Sequence, residues 1–135
     1  MIYVTRRETF NSAHRVYNPK LSNEENFKVF GNCSNPNWHG HNYVLEVVVA
    51  GEVNPETGYV IDLKILKKII RENVIEKVDH KNLNLEVDFM KDVQPSAENI
   101  AIQIWKQLMG KIPSGRLFSV KLYETENNYF EYKGE

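Results

Sequence analysis

The stretch His39-Gly40-His41-Asn42-Tyr43-Val44-Leu45-Glu46-Val47-Val48-Val49-Ala50 decides how this chain folds. Tyr43 to Ala50 is dense in β-branched residues, which suit a pleated, half-buried surface, and reads as a strand. Just ahead of it, His39 and His41 stand two residues apart, and in extended chain such residues project from one face. Two of the four histidines therefore aim at one point. That geometry suits a metal, and zinc is the common ion for imidazole ligands. Cys33, the only cysteine, lies six residues before His39. A thiol beside a metal is a candidate thiolate, because nearby positive charge lowers its pKa.

Upstream, Met1 to about Arg15 reads as a strand with Tyr3, Val4 and Phe10 as apolar points and His14 near its end. Asn18 to Asn37 is polar and turn-rich and reads as a long loop, a kind of segment that often serves function. Downstream, Gly51 to Gly58 is a turn by its Asn-Pro and glycine content. Asp62 can cap a helix in which Leu63, Leu66, Ile69, Ile70 and Val74 fall at helical spacing. Val78 to Leu85 breaks that pattern and reads as a loop. Pro95-Ser96-Ala97-Glu98 starts a second helix, with Ser96 as N-cap and Glu98 in the positive first turn. Ile100, Ile104, Trp105 and Leu108 form its apolar stripe, and Gly110 ends it. Leu117 to Glu124 alternates as a strand, Asn127-Asn128 turns, and Tyr129 to Lys133 is a final strand.

The order ββααββ segregates strands from helices. It predicts an α+β fold: a four-stranded antiparallel sheet with two helices on one face, formed as one domain over residues 1–135. The bare sheet face and the sheet edges need cover, which predicts self-association. A net charge of −1, with the basic residues spread along the chain, excludes an electrostatic grip on nucleic acid or an anionic membrane. No apolar run reaches membrane-spanning length. Met1-Ile-Tyr-Val-Thr-Arg-Arg-Glu8 lacks the pattern of a signal peptide, and a lone cysteine fits a reducing compartment, so the expected location is cytoplasmic.

Two histidines need at least one further ligand. His14, at the end of the first strand, is the natural third if that strand lies beside the one after His41. Three imidazoles with an open fourth position describe a catalytic zinc site. A polar surface pair, or a closed structural site with Cys33 as fourth ligand, are the alternatives. His80 follows Asp79, and an aspartate can fix an imidazole's tautomer and stabilise its protonated form; a solvated loop pair is the plainer reading. Glu124, ending an apolar strand, can anchor amidine-like N–H groups or serve as an ordinary edge charge. Glu98 is already explained by its place at a helix start.

Several stretches together resemble the 6-pyruvoyl-tetrahydropterin synthase family of tunnelling-fold pterin enzymes. They are Phe10-Asn-Ser-Ala-His14-Arg, Leu21-Ser-Asn-Glu-Glu-Asn26, Phe30-Gly-Asn-Cys33, Asn35-Pro-Asn37, His39-Gly-His41-Asn-Tyr, Asp79-His80-Lys-Asn-Leu, Ala97-Glu98-Asn99, Tyr123-Glu124-Thr and Tyr132-Lys-Gly-Glu135. The similarity runs nearly end to end. It implies zinc held by His14, His39 and His41, with Cys33 as the proton-abstracting thiol. It implies an Asp79–His80 dyad that activates the thiol from a neighbouring subunit, and Glu124 as the holder of the pterin ring. Ser96 and Glu98 fall on the segment that the family uses for substrate. The implied assembly is a homohexamer of two stacked trimers, with sites at subunit interfaces. The implied reaction converts dihydroneopterin triphosphate to 6-pyruvoyl-tetrahydropterin with loss of triphosphate.

Two departures stand out. Pro95-Ser96-Ala97 replaces the family's usual threonines and is closer to the related 6-carboxy-tetrahydropterin synthases of queuosine biosynthesis. Trp38 stands where the family usually has glycine. The Cys33 to His39 spacing, the Leu21 to Asn37 insert and the C-terminal tail favour the pyruvoyl type. Outside this class, a non-catalytic zinc-stabilised oligomer or a pterin-binding protein without turnover are the competing readings.

Overall fold

The computed structural model describes residues 1–135. Its frame is an antiparallel pair, β1 (Ile2–His14) and β2 (His39–Gly51), matched without a break from Ile2 opposite Gly51 to His14 opposite His39. β4 (Arg116–Thr125) pairs antiparallel with β2, with a bulge at Val48/Val49, and β5 (Asn128–Tyr132) pairs with β4. The four antiparallel strands are those the sequence predicts. A fifth, β3 (Lys81–Asn82), runs parallel to β1 at Ser12 and Ala13 and gives the order β3-β1-β2-β4-β5. The sequence reads that stretch as loop. A two-residue strand has no periodicity of its own, and only its non-local partner makes it one.

Burial alternates along the frame strands. Glu8, Phe10, Ser12 and His14 of β1 turn inward, as do Tyr43, Leu45, Val47 and Val49 of β2. The helices cover this face. α2 (Leu63–Ile70) starts at Asp62, whose Oδ1 accepts from Lys64 N–H at 2.8 Å. It continues through a π-helical turn, Arg71–Ile75, into α3 (Glu76–Val78). α4 (Ala97–Leu108) is capped by Ser96, whose Oγ accepts from Asn99 N–H at 3.3 Å, and Gly110 follows with φ +79°. Leu66, Ile70, Ile100, Ile104 and Leu108 join Phe10, Tyr43, Leu45, Val47 and Val49 in one core of 23 buried side chains. Each fully buried aliphatic side chain contributes about 1.5–3 kcal/mol, so this interdigitation dominates the stability.

The stretch 18–37 is not the open loop its composition predicts. α1 (Asn23–Phe30) occupies its middle, followed by a 3₁₀ turn, Gly31–Ser34. A full capping box starts α1, with Ser22 and Glu25 bonding each other's backbone N–H. Its one buried residue is polar: Asn26 donates to the Asn18 and Ser22 carbonyls at 2.9 and 3.1 Å and accepts from Asn18 N–H at 2.7 Å. A helix held by an asparagine shows no hydrophobic period, so the pattern that reveals α2 and α4 is silent here. No helix is long and apolar enough to cross a membrane.

Candidate active site

The β1–β2 register places three histidines together at one end of the inward face. His14 lies opposite His39, and His41 lies opposite Ser12, one inward step along. The ring centroids are 4.5 Å apart for His14 and His39, and 5.0 Å for each with His41. One ligand atom from each lies within 4.8 Å of the others. His14 Nε2, His39 Nδ1 and His41 Nε2 are buried and have no hydrogen-bond partner. A buried polar atom left unpaired is costly. Three in one place fit a cation that accepts their lone pairs, so the residues present suit a metal.

Their surroundings hold His14 and His39 in the ligand form. His14 is 1% exposed, and its Nδ1–H donates to the Pro95 carbonyl at 2.7 Å, which leaves Nε2 with a free lone pair. Burial lowers the His14 pKa to about 4, against the pull of Pro95, with His39 and His41 adding to the drop. Burial, then the proximity of His41, also lowers His39. Tyr43 underlies the group, its hydroxyl 3.5 Å from His14 Nδ1, and burial pushes its pKa up with help from Glu124 and Cys33. Glu124 Oε2 is 3.9 Å from His14 Nε2, and Oε1 is 3.8 Å from His41 Nε2. Those gaps exceed hydrogen-bond length. The carboxylate borders the group without closing it.

Cys33 is half-buried in the 3₁₀ turn after α1. Its carbonyl accepts from Val16 N–H at 2.8 Å, and Arg15 Nε donates to the Ser34 carbonyl at 2.8 Å. These bonds tie the thiol's turn to the chain just after His14.

Asp79 and His80 form a true pair: His80 Nδ1 is 3.1 Å from Asp79 Oδ2. Asp79 Oδ1 accepts from Asn11 N–H at 2.9 Å, and that bond is the main cause that lowers the carboxyl's pKa, with His80 adding to it. The His80 side chain is 82% exposed and makes no bond to Cys33 or to the three histidines within its own chain. Ser96 spends its hydroxyl on the cap of α4, and Glu98 is exposed beside a shallow cavity with Phe130 and Tyr132. Neither touches the histidine group. Sequence reasoning missed two residues that do, Pro95 and Tyr43. Pro95 acts through its carbonyl, which no side-chain pattern announces. A larger cavity of about 530 Å³, lined by Tyr17, Phe30, Met90 and others, also shares Pro95 with the site.

A half-covered, mainly antiparallel sheet that carries a metal-ready imidazole group at its strand ends places the chain in the tunnelling-fold class. Comparison with known proteins narrows the class. Residues 3–135 match the family model described as 6-pyruvoyl tetrahydropterin synthase, and the chain belongs to that family. It is 51% identical over 132 residues to 6-pyruvoyl tetrahydrobiopterin synthase of Pongo abelii, covering 98% of this chain and 91% of that protein. The solved 6-pyruvoyl tetrahydropterin synthase of Caenorhabditis elegans superposes with a TM-score of 0.92 at 41% identity, covering 99% of this chain and 96% of that one. A 6-carboxy-5,6,7,8-tetrahydropterin synthase of Rickettsia typhi is 31% identical over 150 residues, covering 97% and 99%.

Proposed function

We propose that this chain is a zinc-dependent lyase that converts 7,8-dihydroneopterin triphosphate to 6-pyruvoyl-tetrahydropterin and triphosphate, a step toward tetrahydrobiopterin. We take it to act as one domain over residues 1–135, in the cytoplasm, as a homohexamer of two trimers. The observation that carries the reading is the convergence of three buried, unpartnered imidazole nitrogens within 4.8 Å. His14, His39 and His41 would hold zinc. When bound, the ion supplies Lewis-acid polarisation that makes the C–H groups beside the substrate's side-chain hydroxyls more acidic.

The chain's own groups would do the rest. Glu124 accepts hydrogen bonds from the N–H edge of the pterin ring and sets its distance from the histidines. Cys33, as thiolate, takes a proton from the side-chain carbon and returns one to the ring. Asp79, anchored by Asn11 N–H, holds the His80 ring in place. The exposure of His80 supports its acting on Cys33 of a neighbouring copy. Ser96 and Glu98 would serve the substrate from the start of α4, Ser96 while capping it. The atoms balance internally: the ring gains the hydrogens that the side chain loses, the triphosphate leaves, and no outside oxidant or reductant enters.

The carboxy reaction is the second reading, favoured by Pro95-Ser96-Ala97. It takes the same substrate with a water and releases acetaldehyde and 6-carboxy-tetrahydropterin along with triphosphate. The 51% identity to a pyruvoyl enzyme against 31% to a carboxy enzyme supports the first. Incubating the metal-loaded protein with dihydroneopterin triphosphate and analysing the products decides. Triphosphate without acetaldehyde is expected. Acetaldehyde would move the chain to the carboxy reaction, and absence of any turnover would leave a zinc-stabilised oligomer or a pterin-binding protein.

A further inference from the structure

The carbonyl that holds His14 is itself held. The peptide group between Pro95 and Ser96 is used at both ends. Its C=O accepts from His14 Nδ1–H at 2.7 Å, and its N–H donates to the Gln94 carbonyl at 2.9 Å. The second bond closes a three-residue turn centred on Pro95. The common form of such a turn has a central φ of about −75°, and the proline ring fixes φ at about −65°. The Gln94 carbonyl also accepts from Asn99 Nδ2 at 3.0 Å, in the first turn of α4. The direction of the Pro95 carbonyl therefore follows the placement of Gln94.

Gln94 is placed by the chain that leaves His14. Its Nε2–H donates to the Tyr17 carbonyl at 2.8 Å, and its Oε1 accepts from Tyr17 N–H at 3.4 Å. A side-chain amide that bonds both polar groups of one residue substitutes for a neighbouring strand. Asn84 bonds Arg15 in the same way, at 2.9 Å for each bond. Only Gln94 adjoins Pro95 in the chain. Its contacts close a ring: from His14 along the chain to Tyr17, across the Gln94 amide to Pro95, and through the Pro95 carbonyl back to His14. Tyr17, Gln94 and Pro95 also line the cavity of about 530 Å³, so open space rather than packed core lies beside them. The position of the turn depends on its hydrogen bonds.

We propose that Gln94 is a positioning residue for the metal group: by binding Tyr17 it keeps the Pro95 carbonyl on His14 Nδ1, and so keeps His14 Nε2 aimed at His39 and His41. A histidine ligand whose other nitrogen is fixed holds metal more tightly. Pro95, which departs from the family's pattern, gains a physical role in the same unit. This inference rests on the metal reading above, and its test separates the two. Metal-free wild type, Gln94→Met and Gln94→Glu are titrated with Zn2+ against a chelating dye, and with Co2+ followed by its visible absorption. Methionine keeps the length without the amide; glutamate keeps the acceptor and loses the donor. Both variants should bind Zn2+ about tenfold more weakly, the low end of the 10–100-fold effect of a ligand's outer partner. Their Co2+ bands should shift, while the metal-free proteins melt close to wild type. Unchanged Zn2+ affinity and Co2+ spectra in both variants overturn the proposal, and so does affinity lost only together with the fold. Wild type supplies a check that needs no variant. The Gln94 Nε2–H should exchange with solvent at least about tenfold more slowly than a free glutamine amide, and free exchange overturns the proposal. A wild type that takes up neither Zn2+ nor Co2+ overturns the metal reading instead.

Discussion

The four histidines divide three to one, and the two groups are built on opposite terms. His14, His39 and His41 are inward, crowded and short of hydrogen-bond partners. His80 is outward, supplied with a partner in Asp79 and largely bathed in solvent. The first group is complete in one chain because two neighbouring strands carry all of it. In the proposed assembly the second is a half-site. It presents a prepared imidazole at the edge of β1, with Asn11 backbone atoms holding both residues: Asn11 N–H bonds Asp79, and the Asn11 carbonyl accepts from His80 N–H at 2.6 Å. Metal binding should therefore be a property of the protomer, and proton traffic a property of the assembly.

The strongest way to break this contrast is at the buried group. His39→Asn should strip the metal, read by elemental analysis, and bring turnover to background, a loss of at least about 10³-fold given that even outer partners of such ligands matter 10–100-fold. A variant that keeps stoichiometric metal would deny the group its role. Cys33→Ala should retain the metal but lose about 10²–10⁴ in kcat, the usual worth of a positioned acid–base group. Lost metal or lost assembly would instead make Cys33 a structural ligand. His80→Ala should keep metal and fold and lose about 10² in kcat. Mixing it with Cys33→Ala should recover part of the activity in hybrid assemblies if the two residues meet across subunits. Failure to recover would confine the dyad to its own chain.

Acid sharpens the contrast with the smallest effect. His14 is held near 4 in the fold and titrates near 6.5 when unfolded. Between those values the unfolded chain binds the extra proton, so stability falls as pH drops. The melting temperature of metal-free protein should drop by several degrees from pH 6.5 to pH 4. Asp79 acts in the same direction but in stronger acid. Its carboxyl is lowered, so its contribution is in place above the ordinary aspartate range and is lost only in stronger acid. A flat melting profile down to pH 4 would contradict the burial of His14.

The inward group and the elements beneath it were legible because each rests on a side-chain rule. His-x-His on an extended chain, the β-branched run of β2, and the caps at Asp62 and Ser96 all appear as expected. α1 was not legible as a helix, although Ser22 and Glu25 spell its start, because its buried contact is an asparagine rather than an apolar stripe. β3 and the π-turn at Arg71–Ile75 depend on partners distant in sequence. Pro95 and Asn11 act through backbone atoms, which carry no residue signature. The nearness of His14 to His39 needed the pairing of β1 with β2, which the sequence could propose and only the fold could align.

That alignment also protects the chemistry. A slip of one residue between β1 and β2 would part His14 from His39, and because successive side chains alternate it would also turn Phe10 out of the core against Tyr43. The metal group and the hydrophobic core are read from the same ladder. A chain that has buried its core has thereby assembled its three ligands, so in a preparation of this protein the folded fraction and the fraction able to take up metal should be one number.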